Sequence, residues 1–198
     1  MKVCATIALL ALFAGCGEKA GQPETETTAS TATTSETTTT IAENATASGG
    51  TVSTVPPADK EFASKAGEGN LAEIQMGQLA LQKASSAGVK AFAQRMVTDH
   101  TAIGERFKPI ATAKGLATPA ELSGDAKAAY DHLSSLSGAE FDKAYIGHMV
   151  EDHQEDVALF TTEGGSGGDA DLRGFATETL PTIREHLKLA LELIARLP

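Results

Sequence analysis

Four long stretches of the sequence repeat apolar residues at the period of an α-helix, and each carries one polar residue at the centre of its apolar stripe. In residues 89–111, for example, Met96, Ile103 and Phe107 lie on the stripe, with a histidine between them. The four polar residues at the stripe centres are Glu73, His100, His153 and His186. Amphipathic helices of this length bury their stripes against one another, so the pattern favours a helical bundle with polar groups in its interior.

The connections between these stretches predict how the bundle is linked. The predicted long helices cover residues 59–85, 89–114, 138–163 and 169–197, and a shorter helix covers 123–136. Asp59 is the expected N-cap of the first helix, and the glycine-rich residues 164–168 are expected to form a flexible loop. Because only the middle pair of long helices has a long connection, the sequence predicts an all-α four-helix bundle with a short extra helix in the middle crossover.

The first sixteen residues have the features of a bacterial lipoprotein signal. A positively charged start and the apolar residues 3–13 lead to the segment LFAGC, which ends at Cys16 and resembles a lipobox. Residues 1–15 are therefore predicted to be a signal peptide and Cys16 the lipidated residue, with ordinary secretory cleavage one or two residues earlier as the alternative. Lipidation implies export and a membrane anchor, and Gly17 favours the periplasmic side of the outer membrane.

Composition limits what the rest of the chain can do. Residues 16–57 are rich in Thr, Ser and Ala and cannot bury enough apolar surface to offset ordering, so a disordered tether is expected there. The bundle then occupies residues 58–198. The net charge of −10 and the lack of a basic stripe exclude nucleic acid as a partner, and no protein partner is indicated. Both cysteines lie before the tether ends, so the predicted bundle has no disulfide and no thiolate ligand.

The inward polar residues must contact one another, water or a metal ion, because a buried charge or imidazole without partners is costly. Glu73 and His100 are about equally far from the first turn, so they should lie level with each other. A straight pairing of the last two long helices instead separates His153 from His186 by roughly 10 Å along the axis. Asp142 is nearer the level of His186.

Three interpretations of this polar centre stay open. The first is a hydrogen-bonded layer that fixes helix register, and the second is proton chemistry at histidine. The third is a site for one transition-metal ion, with Glu73, His100, His186 and either His153 or Asp142 as the ligands. Nitrogen and oxygen ligands of this kind suit Fe, Zn, Mn or Cu. Asp142 and Tyr145 are alternative ligands, and Asp99 is a candidate to orient a ligand histidine through a hydrogen bond. A mainly outward, solvated surface is predicted for His148, Glu151, Asp152, Glu155 and Asp156, with weak surface binding of cations as the alternative.

Three segments carry a family resemblance. They are, in chain order, EIQMGQLALQKASSAGVKAFAQRMVTDHTAIGERF, FDKAYIGHMVEDHQEDVALF and FATETLPTIREHLKLALEL. Together they resemble the bacterial domain of unknown function 4142 family (DUF4142) over residues 59–197. The resemblance implies a ferritin-like four-helix bundle of a kind common in secreted proteins and lipoproteins, and it implies no established activity.

The chain departs from the di-iron enzymes that use the ferritin-like fold. Those enzymes carry Glu-x-x-His on two helices, whereas Val97, Val150 and Ile183 stand three residues before the inward histidines. The departure argues against a di-iron carboxylate site and its oxidase chemistry. We therefore favour a non-enzymatic envelope protein without catalytic residues, whose centre is a candidate site for one transition-metal ion. The alternatives are a structural or interaction module with a buried polar layer, and a metal-dependent redox or hydrolytic enzyme.

Overall fold

A computed structural model describes residues 54–198, and helices make up most of this range. The helices are α1 (Pro57–Lys83), α2 (Ala87–Lys114), α3 (Gly124–Ser135), α4 (Gly138–Ser166) and α5 (Ala170–Ile194). Between residues 54 and 198 there is no β-strand, and no helix is long and apolar enough to cross a membrane. The predicted signal peptide, Cys16 and most of the predicted tether lie outside the described residues.

The four long helices form a ring in which neighbours run antiparallel. α1 packs against α2 and α4, and α5 packs against the same two helices on the other side. α2 and α4 therefore lie on a diagonal and run parallel, so the chain must cross the length of the bundle between them. α3 belongs to this crossover and packs against α1 and α4. The predicted all-α bundle with a short helix in its middle crossover is confirmed.

The interior consists of two apolar clusters with polar residues between them. The methionine cluster lies at the end where α1 turns into α2, and its largest buried members are Met76, Leu79, Phe92, Met96, Phe141, Tyr145, Ile146 and Met149. The phenylalanine cluster fills the other end, and its largest buried members are Phe62, Ile103, Phe107, Phe160, Leu172, Phe175 and Ile183. Val55 also packs in the phenylalanine cluster, so the bundle core includes a residue that precedes the predicted boundary at 58.

Two buried carboxylates hold the ends of the helical hairpins together. Asp142 of α4 accepts hydrogen bonds from the backbone N–H groups of Ser85 and Ser86, at 3.0 and 2.8 Å, where α2 begins. Asp59 of α1 accepts from the backbone N–H groups of Gly168 and Asp169, where α5 begins. Each carboxylate satisfies N–H groups that a helix start leaves unpaired. The predicted N-cap role of Asp59 is wrong, since α1 begins two residues earlier and Asp59 instead accepts from the two residues that precede α5, whose N-cap is Asp169.

The glycine-rich loop between α4 and α5 is shorter than predicted. α4 continues to Ser166, and the Gly167 N–H donates to the Glu163 carbonyl oxygen at 2.8 Å. A side chain at Gly164 would begin 3.0 Å from the hydroxyl oxygen of Thr177 on α5. Glycine thus permits close packing of the two helices, and this packing keeps residues that have low helix propensity in the helix.

Candidate metal centre

Glu73, His100, His153 and His186 converge between the two apolar clusters, and at most 2% of each residue is exposed. The imidazole centroids are 5.2 Å apart for His100 and His186, 5.3 Å for His153 and His186, and 5.8 Å for His100 and His153. Each ring offers one nitrogen, and the three nitrogens lie within 4.8 Å of one another. Ligand atoms on one ion with bonds of about 2 Å are separated by about 3.3–3.5 Å, so small ring rotations would complete a three-histidine site.

The predicted separation of His153 and His186 is wrong. His153 Nε2 lies 3.3 Å from His186 Nδ1. Because α4 extends into the glycine-rich segment, the turn is centred near Gly168, which follows His153 by 15 residues and precedes His186 by 18. The two histidines are therefore offset by only ~4.5 Å along the helices, which the side chains span.

The hydrogen bonds of His153 and His186 determine which of their nitrogens are free. His153 Nδ1 lies 2.9 Å from the Met149 carbonyl oxygen, which only accepts, so this nitrogen carries the proton. His186 Nε2 lies 2.8 Å from Asp99 Oδ2, and it carries the proton for the same reason. In the neutral rings, His153 Nε2 and His186 Nδ1 each carry a lone pair, and the two lone pairs face each other. Such lone pairs repel unless a cation lies between them.

His100 presents a third free nitrogen in the same way. Its Nδ1 lies 2.8 Å from Glu73 Oε2 and 3.2 Å from Asn70 Oδ1. The Asn70 amide oxygen only accepts, so Nδ1 is the donor and Nε2 holds the lone pair. This buried Nε2 has no hydrogen-bond partner within residues 54–198. A histidine ligand characteristically donates from one nitrogen to an oxygen and binds the ion with the other, and all three rings have that arrangement.

Glu73 lies against the protonated nitrogens of two rings. Its Oε1 is 3.1 Å from His153 Nδ1, and its Oε2 is 2.8 Å from His100 Nδ1. The distances are short but the angles are poor for hydrogen bonds, so neither oxygen is satisfied by a partner in the described part of the chain. Glu73, a predicted ligand, is thus positioned to orient the rings, on the side away from their free nitrogens.

Asp99 occupies the position predicted for a carboxylate that orients a ligand histidine. One of its oxygens lies 2.8 Å from His186 Nε2 and 3.2 Å from Arg95 Nε. Burial opposes ionisation of Asp99, but the hydrogen bonds from His186 and Arg95 outweigh it and lower the pKa of this carboxyl. An ionised Asp99 keeps the proton of His186 on Nε2 and leaves Nδ1 free.

Asp142 and Tyr145, the alternative ligands, have different surroundings. The carboxylate of Asp142 caps the start of α2, as described above. Tyr145 stacks on Phe141 with ring centroids 5.8 Å apart, within the methionine cluster. Burial, with a smaller contribution from Glu73, raises the pKa of Tyr145, so this residue stays a neutral phenol. Asp142 is therefore not in the group of converging histidines, whereas the Tyr145 hydroxyl is buried, has no hydrogen-bond partner among the described residues and is affected by the charge of Glu73.

Sequence reasoning missed Asn70 and Arg95. Asn70 lies one helical turn before Glu73, and its amide oxygen supports His100. Space for that amide depends on Gly104, because a side chain there would begin 2.8 Å from Asn70 Nδ2. The available signals were the helical spacing of Asn70 from Glu73 and of Arg95 from Asp99. Both spacings also occur on ordinary solvated surfaces, so they do not distinguish a supporting residue.

Burial keeps this centre nearly free of charge in the absence of a cation. It lowers the pKa of His100 and of His186 to about 4, and it also lowers the pKa of His153. Burial raises the pKa of Glu73 to about 8, against an opposing attraction from His153. Neutral imidazoles with free lone pairs are the protonation state that a metal ion requires.

The acidic residues of α4 are less exposed than predicted. Asp152 and Asp156, on either side of His153, are partly buried and line a cleft of about 460 Å³ between α1, α3 and α4. Burial and neighbouring acidic side chains raise the pKa of both carboxyls. The cleft also contains Glu68, Asp125, Glu151 and Glu155, with Lys65 and His148 as its basic residues. A cleft with this charge attracts cations.

Two solved structures resemble the bundle. A DUF305 fragment from Deinococcus radiodurans is 14% identical, with a TM-score of 0.63, and the match covers 72% of this chain and 99% of that chain. CopM in the Cu(I)-bound form is 17% identical, with a TM-score of 0.57, and the match covers 68% of this chain and 93% of that chain. At these identities the likeness shows a shared fold.

Sequence comparison identifies the family. No curated protein matches the chain. The family described as Domain of unknown function (DUF4142) matches residues 42–193, which is most of the chain and nearly all of the bundle. The chain therefore belongs to the DUF4142 family.

Proposed function

We propose that this domain binds a single copper ion through His100, His153 and His186 and acts in metal handling, without a catalytic role. The observation that carries the proposal is the set of three buried lone pairs described above. Each ring donates from its other nitrogen to a carboxylate, amide or carbonyl oxygen. A layer whose only role was to fix helix register would pair these nitrogens with donors, and a metal ion is what three converging acceptors can share.

Copper fits the donor set better than the other candidate ions. Imidazole nitrogen suits Cu, Zn and Fe, whereas Mn prefers oxygen ligands. Zinc is almost always four-coordinate in structural sites, and this centre presents three free nitrogens. Cu(I) accepts three ligands and needs no bound water, which suits a buried and otherwise apolar position. The likeness to CopM, whose structure holds Cu(I), is in keeping with this choice.

The acidic cleft supports access of a cation to the centre. Asp152 precedes His153 directly, and its charge acts on both His100 and Glu73. The cleft is lined on its other side by Gly69 and Ala72, whose small side chains leave room beside α1. A cation drawn to the cleft therefore lies close to the centre, and short-lived separation of α1 from α4 would admit it.

The proposed setting is the bacterial envelope. The lipobox-like segment supports export of the chain and lipidation of Cys16, and the Thr-rich segment after it supports a tether between a membrane and the bundle. In that setting the domain would hold copper at the periplasmic side of the outer membrane. Labelling of the protein with a radioactive fatty acid, and loss of the label in Cys16→Ser, would test the anchor.

Metal stoichiometry tests the binding proposal. The full chain with Cys4→Ser and Cys16→Ser, which removes its two thiols, is loaded with Cu(I) under anaerobic conditions and analysed by native mass spectrometry and copper X-ray absorption. We expect copper with nitrogen ligands, and at least tenfold weaker binding at the histidine site in His100→Gln. His132→Gln is the matched control, because His132 is exposed on α3.

The same experiment can contradict the proposal. If the copper spectrum shows no nitrogen ligands, or if His100→Gln and His132→Gln bind copper equally, the histidine centre is a structural polar layer. Circular dichroism of each variant shows whether the bundle is intact. A His186→Gln variant provides a second test if His100→Gln fails to fold.

A further inference from the structure

Three methionines lie one helical turn from the histidine centre. Met76 follows Glu73 by three residues on α1, Met96 precedes His100 by four on α2, and Met149 precedes His153 by four on α4. All three are 0% exposed and belong to the methionine cluster. The chain has four methionines, and the fourth is Met1.

Helix direction places the three side chains in one layer. α1 runs antiparallel to α2 and α4, so a step forward on α1 and steps backward on the other two lead toward the same end of the bundle. The fourth helix contributes Ala190, four residues after His186 on α5. Ala190 is also 0% exposed, and its small side chain leaves the centre of this layer to the three methionines.

Close contact between α1 and α2 supports this layer. The Met96 Cβ lies 3.6 Å from the position that a side chain at Gly77 would take, directly beside Met76. The layer is also joined to the histidine centre through the backbone, since His153 Nδ1 donates to the Met149 carbonyl oxygen at 2.9 Å. The three methionines therefore belong to one buried cluster, one helical turn from the proposed copper site.

We propose that Met76, Met96 and Met149 form a second, sulfur-only site that binds a soft monovalent cation, Cu(I) or Ag(I). Thioether sulfur is a soft, uncharged ligand that selects Cu(I) over hard cations. The site needs neither deprotonation nor a carboxylate, so it suits a layer that is otherwise apolar. Its ligands differ from those of the histidine centre, so it stands or fails separately from the proposed function.

The competing explanation is that the methionines only fill space, as methionine does in many cores. Replacement by leucine separates the two explanations, because leucine conserves volume and apolar character but removes the sulfur. The test variant is Met76→Leu/Met96→Leu/Met149→Leu in the background that lacks both cysteines. Ile146→Leu in the same cluster is the matched control. Met1 is present in every variant and so cancels from the comparison.

Titration with Ag(I), followed by native mass spectrometry, measures the number of ions bound. We expect two ions for the background chain and the control, one for the triple leucine variant, and one for His100→Gln. With Cu(I), the ion that His100→Gln retains should show sulfur scatterers alone by X-ray absorption. The circular dichroism melt of the triple variant shows whether the bundle is preserved, and Met96→Leu/Met149→Leu replaces the triple variant if it is not.

Two results would overturn this inference. The triple leucine variant could bind as many Ag(I) ions as the background chain, which would mean that the thioethers are not ligands. It could instead bind none, which would mean that any sulfur ligation belongs to the histidine site. If the background chain binds one ion that the leucine change removes and His100→Gln retains, the sulfur site stands and the proposed histidine site fails.

Discussion

The two apolar clusters of the bundle differ in how their side chains fill the interior. The phenylalanine cluster is built from rigid rings in edge-on or tilted contact, with Phe160 centroids 5.1 Å from Phe62 and 5.9 Å from Phe175. The methionine cluster combines three flexible thioethers with several alanines and with the rings of Phe92, Phe141 and Tyr145. Aromatic rings bury large areas in specific geometries, whereas methionine adapts to its neighbours and offers a soft ligand atom.

The difference indicates that the two ends of the bundle differ in rigidity. The phenylalanine end holds the helices in register, and the polar centre lies against its inner boundary. The methionine end accepts changes of side-chain conformation at small cost, which suits a region next to a proposed metal site. The following predictions test this contrast, from the largest expected effect to the smallest.

The largest effect is expected from Phe160→Ala. Removal of this ring leaves a cavity between Phe62 and Phe175, and it should lower the free energy of unfolding by ~3–5 kcal/mol. Met96→Ala, the corresponding truncation in the methionine cluster, should cost less, ~2–3 kcal/mol, because flexible neighbours partly fill the cavity. Urea denaturation followed by circular dichroism measures both values. Equal losses in the two variants would mean that the clusters do not differ in rigidity.

The second prediction concerns the polar layer between the clusters in the metal-free protein. Burial lowers the pKa of His100 and His186 to about 4, so below pH 6.5 the unfolded chain binds protons that the folded chain does not. Stability therefore rises with pH in this window and falls as the pH drops from about 6.5 to 4, by up to ~3 kcal/mol per histidine. The raised pKa of Glu73 has the opposite effect on stability over the same pH range, so it offsets part of this loss. Urea midpoints measured at several pH values, with chelator present, should show the net decrease.

Glu73→Gln should stabilise the metal-free protein by ~1–3 kcal/mol at pH 7. The pKa of Glu73 is about 8 in the fold and 4.5 as its ordinary value, so at neutral pH the unfolded state gains from ionisation that burial prevents. Glutamine does not ionise, so the unfolded state of the variant loses this stabilisation. The difference in stability between the variant and the wild type should disappear near pH 4. A variant that is less stable than the wild type at pH 7 would show that the fold requires the charge of Glu73.

The smallest predicted effect is that of Asp99→Asn on copper affinity. The substitution weakens control of the His186 tautomer while the ligand nitrogens remain, and affinity should fall by about 10–100-fold. Asp131→Asn on α3 is the matched control, since Asp131 is an exposed carboxylate that pairs only with Lys127 among the described residues. Competition with a chelator of known affinity measures the change. Equal affinities in the two variants would remove Asp99 from the site.

Part of the centre could be predicted because helical period alone assigns residues to a face. Glu73, His100, His153 and His186 each stood within an apolar stripe, and all four proved to be buried together. The pairing of His153 with His186 could not be predicted, because it depends on where α4 ends. That end is set by the packing of Gly164 against Thr177 on another helix. Local propensity placed the loop too early, so an error of about four residues in the offset of the two histidines became an error of about 6 Å.

The roles of the carboxylates show the same limit. Asp99 could be expected beside a histidine, but Asp142 and Asp59 act across the bundle on the starts of helices that are remote in sequence. Glu73 was recognised as an inward residue, whereas the side of the rings that it faces depends on the tilt and rotation of α1. These are properties of packed helices, which a single-helix pattern does not contain.

The sequence by itself determined that this chain forms four amphipathic helices, each with one polar residue in its apolar stripe, because a 3.6-residue period is a local property. It also excluded the Glu-x-x-His pattern of di-iron enzymes. Only the tertiary structure decided that three buried histidines bring one nitrogen each within 4.8 Å of the others, and that three methionines share the adjoining cluster. Those features depend on register between helices, and register follows from long-range packing and capping contacts.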